Sequence, residues 1–233
     1  MIIEKIEAKT MRQQVYDQLR RMIISAEILP GQSMTIQGLA NDFGVSMMPV
    51  REALWQLESE KVIVIESNKR IHVNTLTAKE MQEAMELRLL LEPRAAERAC
   101  ERITDKDLPI IKRLQNEMEV AIDRPKRFVF LNSQFHFAIY SHADSPMLLE
   151  MIDSLWARVG PYVNVAWEKA EDKALTIKLH ADMYEALAAR DKGRLKEWLC
   201  TDLSRAANVV IPVLENLSSN NVRKRERLKR QMA

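Results

Sequence analysis

FGVSMMPVREAL, residues 43–54, is the stretch whose reading decides the fold. Gly44 lets the chain turn, and Ser46 carries the hydroxyl of a helix N-cap, able to accept from an orphan amide. Pro49 falls in the first helical turn, where its missing N–H breaks no bond. Val50, Leu54 and Leu57 then recur at i, i+4 and i+7 as one buried stripe. This spacing predicts a short helix that buries one side and leaves Ser46, Met47, Met48 and Arg51 open at its N-terminal end.

Immediately upstream, TIQGLANDF (35–43) reads as a second short helix, capped by Thr35, with Ile36, Leu39 and Ala40 inward. Before it, Val15, Leu19, Met22 and Ile23 repeat at helical spacing within residues 11–26, while Arg12, Arg20 and Arg21 face out. ILPGQSM then ends that first helix in a Pro-Gly turn. Two short helices across a tight, Gly-containing turn form a helix-turn-helix, whose second helix enters the major groove N-terminus first. The open first turn then faces base edges and phosphates, and the helix dipole adds favourable charge there. The expected DNA contacts are Thr35, Gln37, Ser46, Met47, Met48, Pro49 and Arg51. Downstream, VIVI (62–65) and IHV (71–73) read as two strands around ESNKR, a β-hairpin wing that places Lys69 and Arg70 at its tip for the neighbouring groove. Residues 1–74 are thus expected to form a winged helix-turn-helix of three helices plus a small β-hairpin. The alternative is a small helical domain whose Arg51 pairs with a carboxylate.

Composition bounds the rest. A chain of 233 residues is comfortable for two domains, and a hydrophobic fraction of 47% is ample for a core. Five glycines and eight prolines are too few for a β-sandwich. Thirteen methionines against 6% aromatic residues suit helix packing around an adaptable interior. No run of eighteen apolar residues occurs, so no membrane span is expected. MIIEKIEAKT is too charged for a signal peptide, and Cys100 and Cys200 read as two reduced, buried thiols. A cytoplasmic protein follows from these features. The net charge is +2, yet VRKRERLKR (222–230) supplies +5 by itself, so total charge says little about DNA binding. That tail reads as a solvated, frayed extension, with a nucleic-acid contact as the alternative.

Thr77 opens a second domain with the capping box T-A-K-E, in which Glu80 reaches back to the cap amide. Beyond it no strand-like alternation appears. Helices read as 78–101, 105–122, 126–142, 146–169, 173–190 and 192–216, the fourth started by Ser145-Pro146 and kinked at Pro161. The expectation is an all-α antiparallel bundle over 78–217 with room for a ligand, followed by a flexible basic tail at 218–233. Trp156, Tyr162 and Trp167 belong either to the core or to a pocket wall. Asn132 and His136 share one helix face at i and i+4. His180 and Asp202 lie 11 residues before and after Asp191, so in a helical hairpin they come level, each roughly 16 Å from the bend. Two imidazoles and a carboxylate can hold a divalent ion, and Asn132 adds a fourth polar group. The alternative is a pair of core histidines satisfied by Asn132 and Asp202.

The segment VYDQLRRMIISAEILPGQSMTIQGLANDFGVSMMPVREALWQLESEKVI resembles the winged-helix domain of GntR-type bacterial repressors, above all in PVREAL (49–54). That family usually reads S-R-T-P-V-R-E-A-L. Here Met47 and Met48 replace Arg and Thr, Arg51 matches the family's second base-reading arginine, and Arg70 stands where the wing customarily has glycine. A thioether cannot replace a bidentate guanidinium on guanine, so the half-site is expected to differ from the family's G-containing one, with thymine methyls as contacts. MELRLLLEPRAAERA (85–99), FLNSQFHFAIY (130–140) and LHADMYEALAARD (179–191) are similar to the FCD effector domain of the FadR branch. Many FCD domains bind a metal through Asp-x-x-x-His plus two later histidines. In this chain Asn132 replaces the Asp, His136 and His180 match, and Asp202 stands at the third His, so the resemblance implies a site for Zn, Ni or Mn with one carboxylate retained. It also implies that Arg88, together with Asn132, His136, His180 and Asp202, contacts a small carboxylate effector. An ordinary (i, i+4) pair between Arg88 and Glu92 is the other reading of that arginine.

The implied protein is a homodimeric, effector-controlled transcriptional regulator, a repressor, reading a pseudo-palindromic duplex operator. A metal-responsive repressor without an organic effector uses the same site. A two-His, one-carboxylate metalloenzyme is a third reading; nothing else in the sequence looks catalytic, with no nucleophile–base pair and no Gly-rich phosphate loop.

Overall fold

The computed structural model describes residues 9–67 and 70–231, the last of them (220–231) as backbone alone. Its elements run α1 (Met11–Ile24), β1 (Ser33–Met34), α2 (Ile36–Phe43), α3 (Met47–Ser59), β2 (Ile63–Ile65), β3 (Ile71–Val73), α4 (Ala78–Arg102), α5 (Leu108–Val120), α6 (Pro125–Tyr140), α7 (Pro146–Lys169), α8 (Lys173–Ala188) and α9 (Lys192–Gln231). Two compact units emerge. One runs to Ile23 and over Glu27–Thr75; the other takes Ile24–Ala26 and everything from Leu76 on.

In the first unit the expected stripe is buried: Val50, Ala53, Leu54 and Leu57 of α3 join Val15, Leu19, Leu39 and Ile63 in one interior. Gly44 ends α2 in the left-handed region (φ 66°), where its N–H reaches Ala40 and Asn41 carbonyls and a β-carbon would be strained. The Thr35 hydroxyl accepts from Gly38 N at 3.0 Å, as an N-cap should. Ser46 departs from expectation. It holds the extended N-cap conformation, but its hydroxyl makes no capping bond. The wing also differs from a two-stranded hairpin. Ser33 and Met34 add an antiparallel strand to β3, opposite His72 and Ile71, giving the order β1-β3-β2. A two-residue strand is too short to show alternation, so only backbone pairing after the Pro30-Gly31 turn could reveal it.

The second unit is the expected antiparallel bundle of six α-helices, α4 to α9, with a single 3-10 turn at Ser141–Ala143. Helix α4 packs on α7 and α9, α9 on α8, and α6 on α5 and α7. The capping box is complete: Thr77 N donates to Glu80 Oε2 (2.8 Å) and Glu80 N to Thr77 Oγ1 (3.2 Å). These bonds from the Thr77 backbone and hydroxyl hold the Glu80 carboxyl below its ordinary range. Stability from the box is therefore present above the usual glutamate range and lost as pH falls below it. Thr77→Ala should cost about 1 kcal/mol in urea unfolding, and that difference should shrink in acid.

Helix α9 does not stop at 216. It continues to Gln231 through the stretch expected to be a flexible tail, because no glycine or proline follows Pro212 and residues 222–230 are mostly good helix formers. Cys100 is buried and Cys200 only partly so, both as free thiols. Among the described residues no helix is long and apolar enough to cross a membrane.

Candidate functional site

At the head of α3, Ser46, Met47, Met48 and Arg51 are exposed and Pro49 is half-buried, so the first turn is open as the sequence requires. Thr35 and Gln37 are exposed at the start of α2, although the Thr35 hydroxyl is engaged in capping and Gln37 Nε2 donates to Asn41 Oδ1. Arg70 is exposed at the base of the wing loop, closed by Glu66 N donating to the Arg70 carbonyl (2.9 Å). Lys69 lies outside the described residues.

In the bundle the hairpin between α8 and α9 brings His180 and Asp202 level, and α6 sets Asn132 and His136 against them. Asp202 Oδ2 lies 3.5 Å from His136 Nε2, and the Nε2 atoms of His136 and His180 are 3.3 Å apart. Asn132 Nδ2 donates to His180 Nε2 at 3.0 Å. The ligand atoms of His136, His180 and Asp202 all lie within 4.8 Å of one another.

Neighbours one helical turn away fix both tautomers. His180 Nδ1–H donates to the Thr176 carbonyl (2.8 Å), which leaves its Nε2 as a lone pair. Tyr140 donates its hydroxyl proton to Glu92 Oε2 (2.7 Å), so its oxygen accepts from His136 Nδ1–H (3.1 Å), and Nε2 is the His136 nitrogen turned toward Asp202. Burial, then the Glu92 carboxylate, push the Tyr140 phenol well above its usual value, which keeps that proton in place. Burial pulls the His180 imidazolium below its ordinary value and holds the ring neutral. Burial pushes the Asp202 carboxyl up, but His180, His136 and Arg88 outweigh it and leave the group below the usual carboxylate range. Three acceptors thus converge. The Asn132 amide satisfies His180 Nε2, while His136 Nε2 faces that nitrogen and a carboxylate oxygen. Donors each about 2.1 Å from one ion lie roughly 3–3.5 Å apart, a spacing that the His136–His180 and His136–Asp202 pairs meet, so the three residues could hold a divalent cation.

Arg88 makes the (i, i+4) pair and also faces a cavity. Its guanidinium pairs with Glu92 through Nε–Oε1 and through Nη2–Oε2 at 3.3 Å, and its Cζ lies 4.3 Å from the Trp156 ring centroid. It also lines a cavity of about 450 Å³ with Asn132, His136, Asp202, Trp156 and Trp167. His180, fully buried, is not part of that wall and meets the cluster only through Nε2. Tyr162 is core rather than wall, and its hydroxyl accepts from Leu76 N (2.8 Å). Sequence reading named Glu92 as the partner of Arg88 but missed Thr176 and Tyr140 as supports of the two histidines. Each lies four residues from a candidate it holds or neutralises, so helical spacing was the available signal.

Comparison with known proteins agrees with this division. Residues 11–73 match the bacterial regulatory proteins of the gntR family, and residues 83–205 match the FCD domain. The HTH-type transcriptional regulator McbR of Escherichia coli K12 is 28% identical over 195 residues, 83% of this chain and 87% of that protein. The HTH-type transcriptional repressor RspR of the same strain is 27% identical over 181 residues, 77% of this chain and 79% of that one. The solved structure of E. coli McbR/YncC superposes with a TM-score of 0.80 at 26% identity, covering 91% of this chain and 100% of that one. These relatives are transcriptional regulators, not enzymes. The chain belongs to the GntR family of bacterial transcriptional regulators and carries an FCD domain behind its helix-turn-helix.

Proposed function

We propose that this regulator is a cytoplasmic, homodimeric repressor whose hold on a pseudo-palindromic operator is controlled by a small organic acid in the FCD cavity. The observation that carries the reading is the convergence of His136, His180 and Asp202, two of which, His136 and Asp202, line that cavity together with Arg88. His136, His180 and Asp202 would hold a divalent Zn, Ni or Mn ion. Turning the Asn132 amide over would offer its oxygen at the place its nitrogen now occupies. Such an ion, when bound, supplies positive charge that attracts and orients a carboxylate. Arg88 presents its guanidinium to the same space, and the stacked Trp156 ring holds that guanidinium flat. The indole N–H groups of Trp156 and Trp167 are buried without an acceptor among the described residues, which favours an oxygen-bearing ligand over a purely aliphatic one.

Helix α7 offers a route from cavity to DNA-binding unit. Trp156 and Trp167 line the cavity, while Tyr162, between them, holds the N–H of Leu76, the residue directly after the helix-turn-helix unit. An effector that binds one position of α7 better than another shifts the population of that linkage. Dimerisation is supported by Leu87 and Leu90 on α4 and by Met147 and Met151 on α7, exposed apolar pairs on two helices that pack together.

Two measurements test the reading. Gel-shift titration against duplexes selected from a randomised library should give a dyad-symmetric site. Arg51→Ala should then weaken binding by about 1–3 kcal/mol; unchanged affinity would remove Arg51 from the DNA contact. Thermal-shift screening of small carboxylic acids, with and without EDTA, should find an acid that raises Tm and releases the duplex. Release by the metal alone would select the metal-responsive alternative.

A further inference from the structure

Along α3 the exposed positions are Met47, Met48, Arg51, Trp55 and Ser59. Met47, Arg51, Trp55 and Ser59 follow at i, i+4, i+8 and i+12, so they form one ridge, with Met48 beside it. Three of these side chains are large and apolar, and they are open to solvent: Met47 at 46%, Met48 at 57% and Trp55 at 55%. The opposite face of the helix is fully used, since Val50, Ala53, Leu54 and Leu57 make the core. Trp55 lies off that core face, with more than half of its surface open to solvent. The ridge carries one cation, Arg51, and its first turn holds no acid.

We propose that this ridge reads its operator half-site chiefly through apolar contact, with Met47 and Met48 against thymine C5-methyl groups and Trp55 as a further specificity-determining contact. The proposal rests on α3 being the helix that enters the major groove. In that groove an A·T pair differs from G·C in showing a methyl group, the one apolar feature on any base edge, and a thioether side chain matches a methyl while offering guanine no hydrogen-bond donor. Trp55 stands about 12 Å along the axis from Met47, which is the width of the groove. When the N-terminal turn is seated, the indole lies at the groove edge. There its face covers a thymine methyl or a deoxyribose, and its N–H can donate to a phosphate. The ridge is thus a methyl-reading strip pinned by one charge, Arg51.

The test uses the full chain and a duplex selected by it from a randomised library. Replacing each thymine of the half-site by deoxyuracil removes the C5-methyl alone. At two or more positions this should weaken binding about fourfold per methyl, the value of one buried methyl-sized group. Trp55→Ala should lose about tenfold in affinity with an unchanged salt slope, and Trp55→Phe should recover most of it. Arg51→Ala should instead lower the salt slope by about one. Trp55 is the only tryptophan of the first unit, so duplex addition should change an emission component that Trp55→Phe lacks. Uracil duplexes bound as tightly as thymine duplexes would overturn methyl reading. Trp55→Ala that binds as well as the parent, or that alters only self-association in sedimentation, would overturn the role of Trp55. Failure to select any duplex would instead sink the DNA-binding reading of α3 on which both stand.

Discussion

Truncating Glu92 to alanine should destabilise the FCD domain by about 3–5 kcal/mol, the loss expected when one partner of a buried ion pair is removed. Glu92 has no exposed surface and Arg88 only 2%, so neither charge can turn to water when the other is removed. Glu92 also accepts the Tyr140 proton, and Tyr140 in turn fixes the tautomer of His136. The variant therefore leaves a buried guanidinium with only the Trp156 face and the weak acceptor Met85 Sδ (3.7 Å) as close partners, and it frees the Tyr140 hydroxyl to rotate. For a domain of this size the loss corresponds to a fall in Tm of roughly 6–20 °C by calorimetry of metal-free protein. The double variant Arg88→Met, Glu92→Leu removes both charges and should recover most of that loss, because packed apolar groups incur no desolvation cost. It should not recover effector response, since the guanidinium in the cavity is gone. A Glu92→Ala protein within 1 kcal/mol of the parent would show that water reaches the pair.

The second large effect concerns the acceptor cluster. Protein stripped with EDTA should bind one Zn, Ni or Mn ion per chain. At a hundredfold excess over Kd the ion should stabilise the fold by about 2.7 kcal/mol. His180→Ala should abolish that stabilisation, because it removes one imidazole and leaves a void between Asn132 and His136. Asn132→Asp tests the converse. It restores a second carboxylate one helical turn from His136, so ion affinity should rise by more than about tenfold. Calorimetric titration separates the outcomes. Equal uptake by parent and His180→Ala would place the ion elsewhere. No uptake by the parent would return the cluster to a pair of core histidines. Affinity should also decline in acid, since binding competes with protons for the imidazoles and carboxylate. The decline should begin below the ordinary histidine range for His180, whose burial keeps it neutral.

Much of this architecture was legible in particular residues. Gly44, Pro49 and the Val50–Leu54–Leu57 stripe specify a short helix after a tight turn, because glycine takes the left-handed cap without strain and a period of 3.6 can bury only one face. Thr77 and Glu80 announce the start of α4 since each satisfies the other's orphan amide. The level pairing of His180 with Asp202 followed from equal arc lengths about Asp191, a local property of a helical hairpin. The same local logic stops where partners are distant in sequence. Strand β1 is two residues long and exists only because β3 offers it backbone bonds. The extent of α9 beyond 216 was misjudged because a basic run reads as solvated tail although its residues favour helix.

What the sequence by itself determined is the order of elements and the identity of the chemistry-bearing side chains, since periodicity, caps and turn residues act over a few positions. Only the tertiary structure decided which of those side chains meet. It set Arg88 both against Glu92 and at the cavity wall, kept His180 off that wall, and turned the Nε2 atoms of both imidazoles toward one another beside Asp202. Those outcomes depend on how α4, α6, α8 and α9 cross. Helix crossings are fixed by side-chain volumes summed over whole faces, which no short stretch of residues contains.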